Sequence, residues 1–142
     1  MSGFLGVLVA GGGLGNPQLT DRSVSSSGAG VQNVSLTFFS SGGLSTGING
    51  NLTSRAPEWS GLADPVSTVG NFYQLRLSVT SGTAPTGSSF DTWLDLSSSP
   101  SYNLTTSGVG AVTGTWLVEI RHKTTQIVEA SATFTMTATR TS

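Results

Sequence analysis

Apolar and polar residues alternate with a period of two along most of the chain, and the longest run extends from Val128 to Thr139. There Val128, Ala130, Ala132, Phe134, Met136 and Ala138 are separated by Glu129, Ser131, Thr133, Thr135, Thr137 and Thr139. Successive side chains of a strand point to opposite faces, so the pattern predicts a strand with one buried face and one threonine-lined face in water. Upstream, Gly114 to Arg121 places Trp116, Val118 and Ile120 on one face and Thr115, Leu117, Glu119 and Arg121 on the other. The polar stretch His122-Lys123-Thr124-Thr125-Gln126 between these runs predicts a hairpin, and hence antiparallel pairing.

Tyr73, Leu75, Leu77 and Val79 alternate with Gln74, Arg76 and Ser78, giving a third strand that ends in the turn-rich Ser81 to Gly87. Thr92–Leu96 and Tyr102–Thr105 read as shorter strands on either side of Ser97-Ser98-Ser99-Pro100-Ser101. Val31 to Phe39 is another, but apolar residues occur on both of its faces and the alternation leaves the buried side open. Residues 40–71 are the least regular part and read as loop, with Ser40-Ser41-Gly42-Gly43, Gly47-Ile48-Asn49-Gly50-Asn51, Pro57 and Pro65 as breakers. No long window carries apolar residues at helical spacing. Seven or eight short strands separated by turns predict an all-β fold, an antiparallel β-sandwich or jelly roll, formed by one domain over residues 16–142.

Residues 1–15, MSGFLGVLVAGGGLG, stand apart from this pattern. A secretory signal needs a basic start, and no Lys or Arg precedes Arg22. A membrane-spanning helix needs ~20 apolar residues, whereas this block is broken at Gly6 and ends at Gly11. Two readings remain: an apolar, glycine-hinged arm that reaches a neighbouring subunit, or the first strand of the domain's own sheet. Phe4, Leu5, Val7, Leu8, Val9 and Leu14 are the partner-binding candidates, because left bare they would be an aggregation liability.

Composition narrows the chemistry. Charged residues are 9% of the 142, far below the ~25% of ordinary soluble domains. Serine and threonine fill 43 positions and glycine 19, so hydroxyls and backbone must supply the surface. A net charge of −1 with scattered basic residues argues against nucleic acid as a partner, and the absence of cysteine excludes disulfides, thiolate zinc sites and a cysteine nucleophile. His122 is the only histidine, and its polar setting predicts an exposed turn residue. Asp91 and Asp95, four apart on a predicted strand, would lie ~13 Å apart at ~3.3 Å per residue, too far to share a proton or one metal. Gly11-Gly12-Gly13-Leu14-Gly15 lacks the Lys-Ser/Thr of a phosphate loop and reads as a hinge. Three Asn-x-Ser/Thr triplets, at Asn33, Asn51 and Asn103, are what chance supplies in so hydroxyl-rich a chain. The expectation is a protein without catalytic residues, cofactor or metal.

Aromatic residues leave one binding-module alternative, since Trp59, Trp93, Trp116 and Tyr102 could stack on host surface glycan. Trp93 and Trp116 sit in apolar strands and read as core. Trp59 lies in a loop and is the better candidate for contact with a partner.

Four segments carry a resemblance. Phe72-Tyr73-Gln74-Leu75-Arg76-Leu77-Ser78-Val79-Thr80-Ser81-Gly82-Thr83, Thr92-Trp93-Leu94-Asp95-Leu96, Leu117-Val118-Glu119-Ile120-Arg121 and Ala130-Ser131-Ala132-Thr133-Phe134-Thr135-Met136-Thr137-Ala138 are similar to small virion-associated proteins of tailed bacteriophages and prophages. The resemblance spans roughly residues 19–140, with Leu19-Thr20-Asp21-Arg22-Ser23-Val24-Ser25 as an opening strand, and those proteins often share a glycine-rich apolar start. It implies a non-enzymatic β-sandwich subunit, tail- or fibre-associated or a capsid decoration protein. Its implied partners are the major capsid protein, tail proteins or further copies in a homo-oligomer, and its location is the virion, assembled in the host cytoplasm. No membrane partner is implied.

Overall fold

The computed structural model describes residues 19–57 and 70–142, with residues 53–57 described by their backbone. Among these, ten strands form two sheets: β1 (Arg22–Gly28), β2 (Asn33–Phe38), β3 (Gly43–Ile48), β4 (Asn51–Pro57), β5 (Tyr73–Gly82), β6 (Thr86–Gly87), β7 (Leu94–Asp95), β8 (Ser101–Thr105), β9 (Gly110–His122) and β10 (Val128–Arg140). The first sheet runs β1-β10-β9-β5-β7 and the second β4-β3-β2-β8-β6. The expected all-β sandwich is what the chain forms. Its pairs are antiparallel with one departure: β1 lies parallel to β10, so the opening and closing strands run side by side.

The alternation read from the sequence sets the core. In the β9–β10 hairpin, Phe134 faces Trp116 and Ala132 faces Val118, and all four are buried. Leu75 and Leu77 of β5 continue this inward layer opposite Ile120 and Val118. The second sheet answers with Val34, Leu36 and Phe38 of β2, Leu44 of β3, and Tyr102 and Leu104 of β8. Phe38 and Phe134 meet edge to face across the layers, with ring centroids 6.2 Å apart. The open question in β2 is thereby answered, since Asn33, Ser35 and Thr37 take the outward side. At the foot of β10 the register shifts between Val128 and Ala130, and Val128 is turned out to solvent instead of joining the buried face.

Two expectations need correction. The stretch read as irregular, 40–71, contains β3 and β4, joined by Asn49-Gly50 with φ of 49° and 85°. Two successive positive φ values define the type I′ turn that matches the twist of a hairpin, and Asn-Gly is the dipeptide that adopts it most readily. The predicted strand Thr92–Leu96 shrinks to the two residues of β7, because Leu96 leaves the ladder to start a 3-10 turn through Ser98 and plugs the core. Ser99 then closes that turn in the left-handed region before Pro100.

One end of the sandwich is organised by Gln32, a polar residue that is 4% exposed. Its Nε2 donates to the carbonyls of Ala29 and Gly30 at 3.2 and 3.4 Å, and its Oε1 accepts from Asn49 Nδ2 at 2.9 Å and from the Ser26 hydroxyl. Its main-chain N–H donates to Thr106 Oγ1 at 3.0 Å, and its carbonyl accepts from the Thr106 N–H. Four segments are tied to one side chain and its backbone. Gln32→Ala leaves the buried Ser26 hydroxyl without its acceptor and should cost ~1–3 kcal/mol, seen as a lower urea midpoint at unchanged m-value.

Tyr102 is fully buried, donating its hydroxyl to Ser89 O at 2.9 Å, and burial pushes its pKa up to about 12. An acid raised above its unfolded value of ~10 favours the fold while neutral, so its contribution is intact below pH ~10 and is lost as pH rises toward 12. Denaturation midpoints should therefore fall across that window in the native chain and less steeply in Tyr102→Phe, with the phenolate absorbance of Tyr102 appearing only as the protein unfolds.

Candidate functional site

The partner-binding candidates Phe4, Leu5, Val7, Leu8, Val9, Leu14 and Trp59 lie outside the described residues. What the structure does place is the chain's entry into the sandwich. Leu19 rests against the core, Asp21 accepts a hydrogen bond from the Thr133 N–H at 2.8 Å, and β1 then runs along the upper half of β10.

The outward face of the first sheet has two regions. Along β1, β10 and β9 it is neutral and hydroxyl-lined: Ser23, Ser25 and Ser27 stand in register with Thr135, Thr137 and Thr139, and Thr135 and Thr137 face Thr115 and Thr113. The Thr113 and Thr137 hydroxyls lie 3.2 Å apart and Thr80 Oγ1 donates to Thr115 O at 2.9 Å, so the rows are cross-linked at the surface. Strand spacing of ~4.8 Å and residue spacing of ~6.6 Å make this a nearly regular grid of short side chains. Such a surface loses little side-chain entropy when covered, unlike one built of lysine and glutamate.

Toward β5 and β7 the same face becomes charged. Arg76 donates through Nε and Nη2 to Glu119 Oε1 at 3.1 and 2.8 Å, Lys123 pairs with Asp95 at 3.0 Å, and Gln74 bridges Asp95 Oδ1 to Arg121 Nε, each at 2.9 Å. Trp93 lies within this network, its ring centroid 4.6 Å from the Arg76 guanidinium carbon and 4.2 Å from that of Arg121. Each cation–ring contact at such a site adds ~0.5–1 kcal/mol, and surface ion pairs add ~0–1 kcal/mol. The expectation of Trp93 as core is therefore corrected. It stands two residues before outward-facing Asp95, and period-two geometry puts it outside, where it clamps the short β7 onto the sheet. Trp116 is core as expected, and Tyr102 joins it there, which removes both from any sugar-binding face.

His122 is corrected as well. It is 7% exposed, because it ends β9 on the same inward side as Trp116, Val118 and Ile120. Its ring meets Tyr73 at 5.2 Å and Phe72 at 6.2 Å, and Nδ1 accepts the Thr124 N–H at 3.1 Å. The imidazole thus packs the end of the core and fastens the β9–β10 turn. Asp91 is exposed but off any strand, with φ 59° and its N–H donated to Leu77 O at 2.7 Å, so it shares no strand face with Asp95. Among the described residues no three His, Asp or Glu side chains gather in a metal-binding group.

A further surface was not anticipated. Val31, Leu52 and Val109, exposed by 59, 64 and 71%, project from the loops and strand start that Gln32 and its neighbours tie together at one end of the sandwich. Each is isolated in sequence, and only the pairing of Asn33 with Thr105 and of Val34 with Ile48 brings their segments to one end. The charged network was similarly hidden, although the outward positions of Gln74, Arg76, Glu119 and Arg121 were readable. Which residue faces which depends on register, which alternation does not supply.

Comparison of the chain with protein-family models, curated proteins and solved structures finds no match.

Asp95 offers a test of the charged corner. The Gln74 amide hydrogen bond and then Lys123 hold its carboxyl below the ordinary carboxylate range. A lowered pKa contributes stability above the unfolded value of ~3.9 that is lost as pH falls. Asp95→Asn should therefore flatten the decline in denaturation midpoint between pH 5 and pH 2.5; parallel curves for the two proteins would show that the network adds nothing.

Proposed function

We propose that the chain is a non-enzymatic structural subunit of a bacteriophage virion, tail- or fibre-associated or a capsid decoration protein, that binds neighbouring virion subunits through its amino-terminal arm and sandwich faces. One observation carries the reading: the in-register hydroxyl grid of β1, β10 and β9, a broad uncharged face on a chain that has little charge elsewhere. A free soluble monomer depends on charge to stay apart from its copies. A subunit held among neighbours does not, and a grid of short hydroxyls offers shape and hydrogen bonding to a flat partner. The step from a subunit among neighbours to a phage virion rests on the sequence resemblance of residues 19–140 alone. Contacts of this kind are individually weak, and symmetric repetition multiplies them.

The test places one charge in the middle of the grid. Thr137→Lys changes an outward surface position and should leave the unfolding free energy within ~0.5 kcal/mol of the parent, while its incorporation into particles falls at least tenfold. Incorporation equal to the parent's would remove this face from the contact, and absence of the parent protein from purified particles would overturn the virion reading. Abundance separates the two locations: a few to a few tens of copies per particle indicates the tail, hundreds the capsid.

A further inference from the structure

The first sheet begins with β1, the first strand of the described residues. Among the described residues β1 pairs with β10 alone, so alternate N–H and C=O groups between Ser23 and Ser27 point away from the sheet. Long free edges are ordinarily guarded by proline, lysine, a bulge or brevity. Past Arg22, its first residue, β1 has no proline, no charge and no register shift, and it is seven residues long where β6 and β7 have two each. The second sheet also extends past this edge. β1 packs over β2 and β3, and β4 lies one strand further out, so a strand added beside β1 would be backed by β4.

The chain carries a segment that suits this place. Phe4 to Ala10 is apolar and, like β1, seven residues long. As a strand it would put Phe4, Leu8 and Ala10 on one side and Leu5, Val7 and Val9 on the other. Both sides are apolar. If the segment folded back onto its own β1, one side would meet β4 and the other would stay in water beside Ser23, Ser25 and Ser27. If it comes from another copy, the body of that copy can cover the second side. Residues 11–18, with Gly11, Gly12, Gly13 and Gly15, reach up to about 28 Å when extended, enough to pass from one sandwich to the next across sheets ~10 Å apart.

We propose that residues 4–10 of one copy add as a strand to the β1 edge of a second copy, so that copies of this chain associate by strand donation. The inference rests on the structural-subunit reading for its partner and specifies how the arm acts within it.

The chain has no cysteine, so introduced thiols report without background. One protein carries Leu8→Cys or Val9→Cys, one of which faces outward in any register; a second, mass-tagged protein carries Ser23→Cys, Ser25→Cys or Ser27→Cys. A disulfide needs Cβ atoms ~3.5–4.5 Å apart. The expected result on mild oxidation of the mixture is a tagged–untagged dimer in high yield at one β1 position, falling at the other two and far exceeding the yield with a control thiol at Thr124→Cys in the exposed turn. Deletion of residues 2–14 should also shift the solution mass of the chain from associated to monomeric. Two outcomes overturn the proposal. In one, a chain carrying both thiols closes internally into a monomer, so that the segment occupies its own edge. In the other, no β1 position links above the Thr124 control. Neither depends on particle incorporation, so the virion reading can stand where strand donation fails, and the reverse.

Discussion

Phe134 faces Trp116 within one sheet and meets Phe38 edge-on from the other, and the remaining layers are arranged around that meeting point. A period-two strand can bury only one side, so placing Phe134 inward turns Thr133, Thr135 and Thr137 outward, and antiparallel register carries the same decision to β9 and β5. A slip of one residue would put the aromatic groups in water and the threonines in the core. The hydroxyl grid is therefore not independent of the core. It is the other side of the same alternation, which is why a surface poor in charge can still be so regular.

What the apolar core does for the strands, Gln32 does for one end. Loops joining the two sheets must satisfy backbone groups that no ladder reaches, and here one amide and its own main chain serve the segments around Ser26, Ala29, Asn49 and Thr106. The result is a stiff end from which Val31, Leu52 and Val109 project, in contrast to the opposite end, where His122 packs against Phe72 and Tyr73 and holds the β9–β10 turn.

The parts legible in the sequence are those where a single strand carries its own evidence. β5, β9 and β10 are long, with one apolar and one polar side, and their faces follow from the residues alone. β3 and β4 were not legible, because β3 is small and polar, Gly-Leu-Ser-Thr-Gly-Ile, and is buried on both sides, so it shows no alternation; Asn49-Gly50 was the signal that could have found the hairpin. His122 and Trp93 were misplaced for a related reason. Neighbouring polarity suggested exposure for the first and burial for the second, whereas the parity of each with its strand gives the reverse: even with Trp116 for His122, odd with Asp95 for Trp93. The charged network and the aliphatic end needed register and topology, which a one-dimensional pattern does not hold.

Charge economy connects these observations. Five of the chain's thirteen charged residues, Arg76, Asp95, Glu119, Arg121 and Lys123, are committed to one corner around Trp93, where they largely neutralise one another. That leaves the central rows of the β1–β10–β9 face, Ser23 to Ser27, Thr135 to Thr139 and Thr113 to Thr115, without charge, between Arg22 at the start of β1 and Arg140 at the end of β10. Ordinary folds place lysine or proline at such an edge because an open ladder is indifferent to what pairs with it. Here the corner farthest from β1 gathers five of the charges, and beyond Arg22 the edge that a strand could extend is lined mostly with serine. In a protein selected to remain alone, that distribution would be a hazard. In one that is built into an array, the same distribution would leave a single side, the β1 edge, for the next copy to meet.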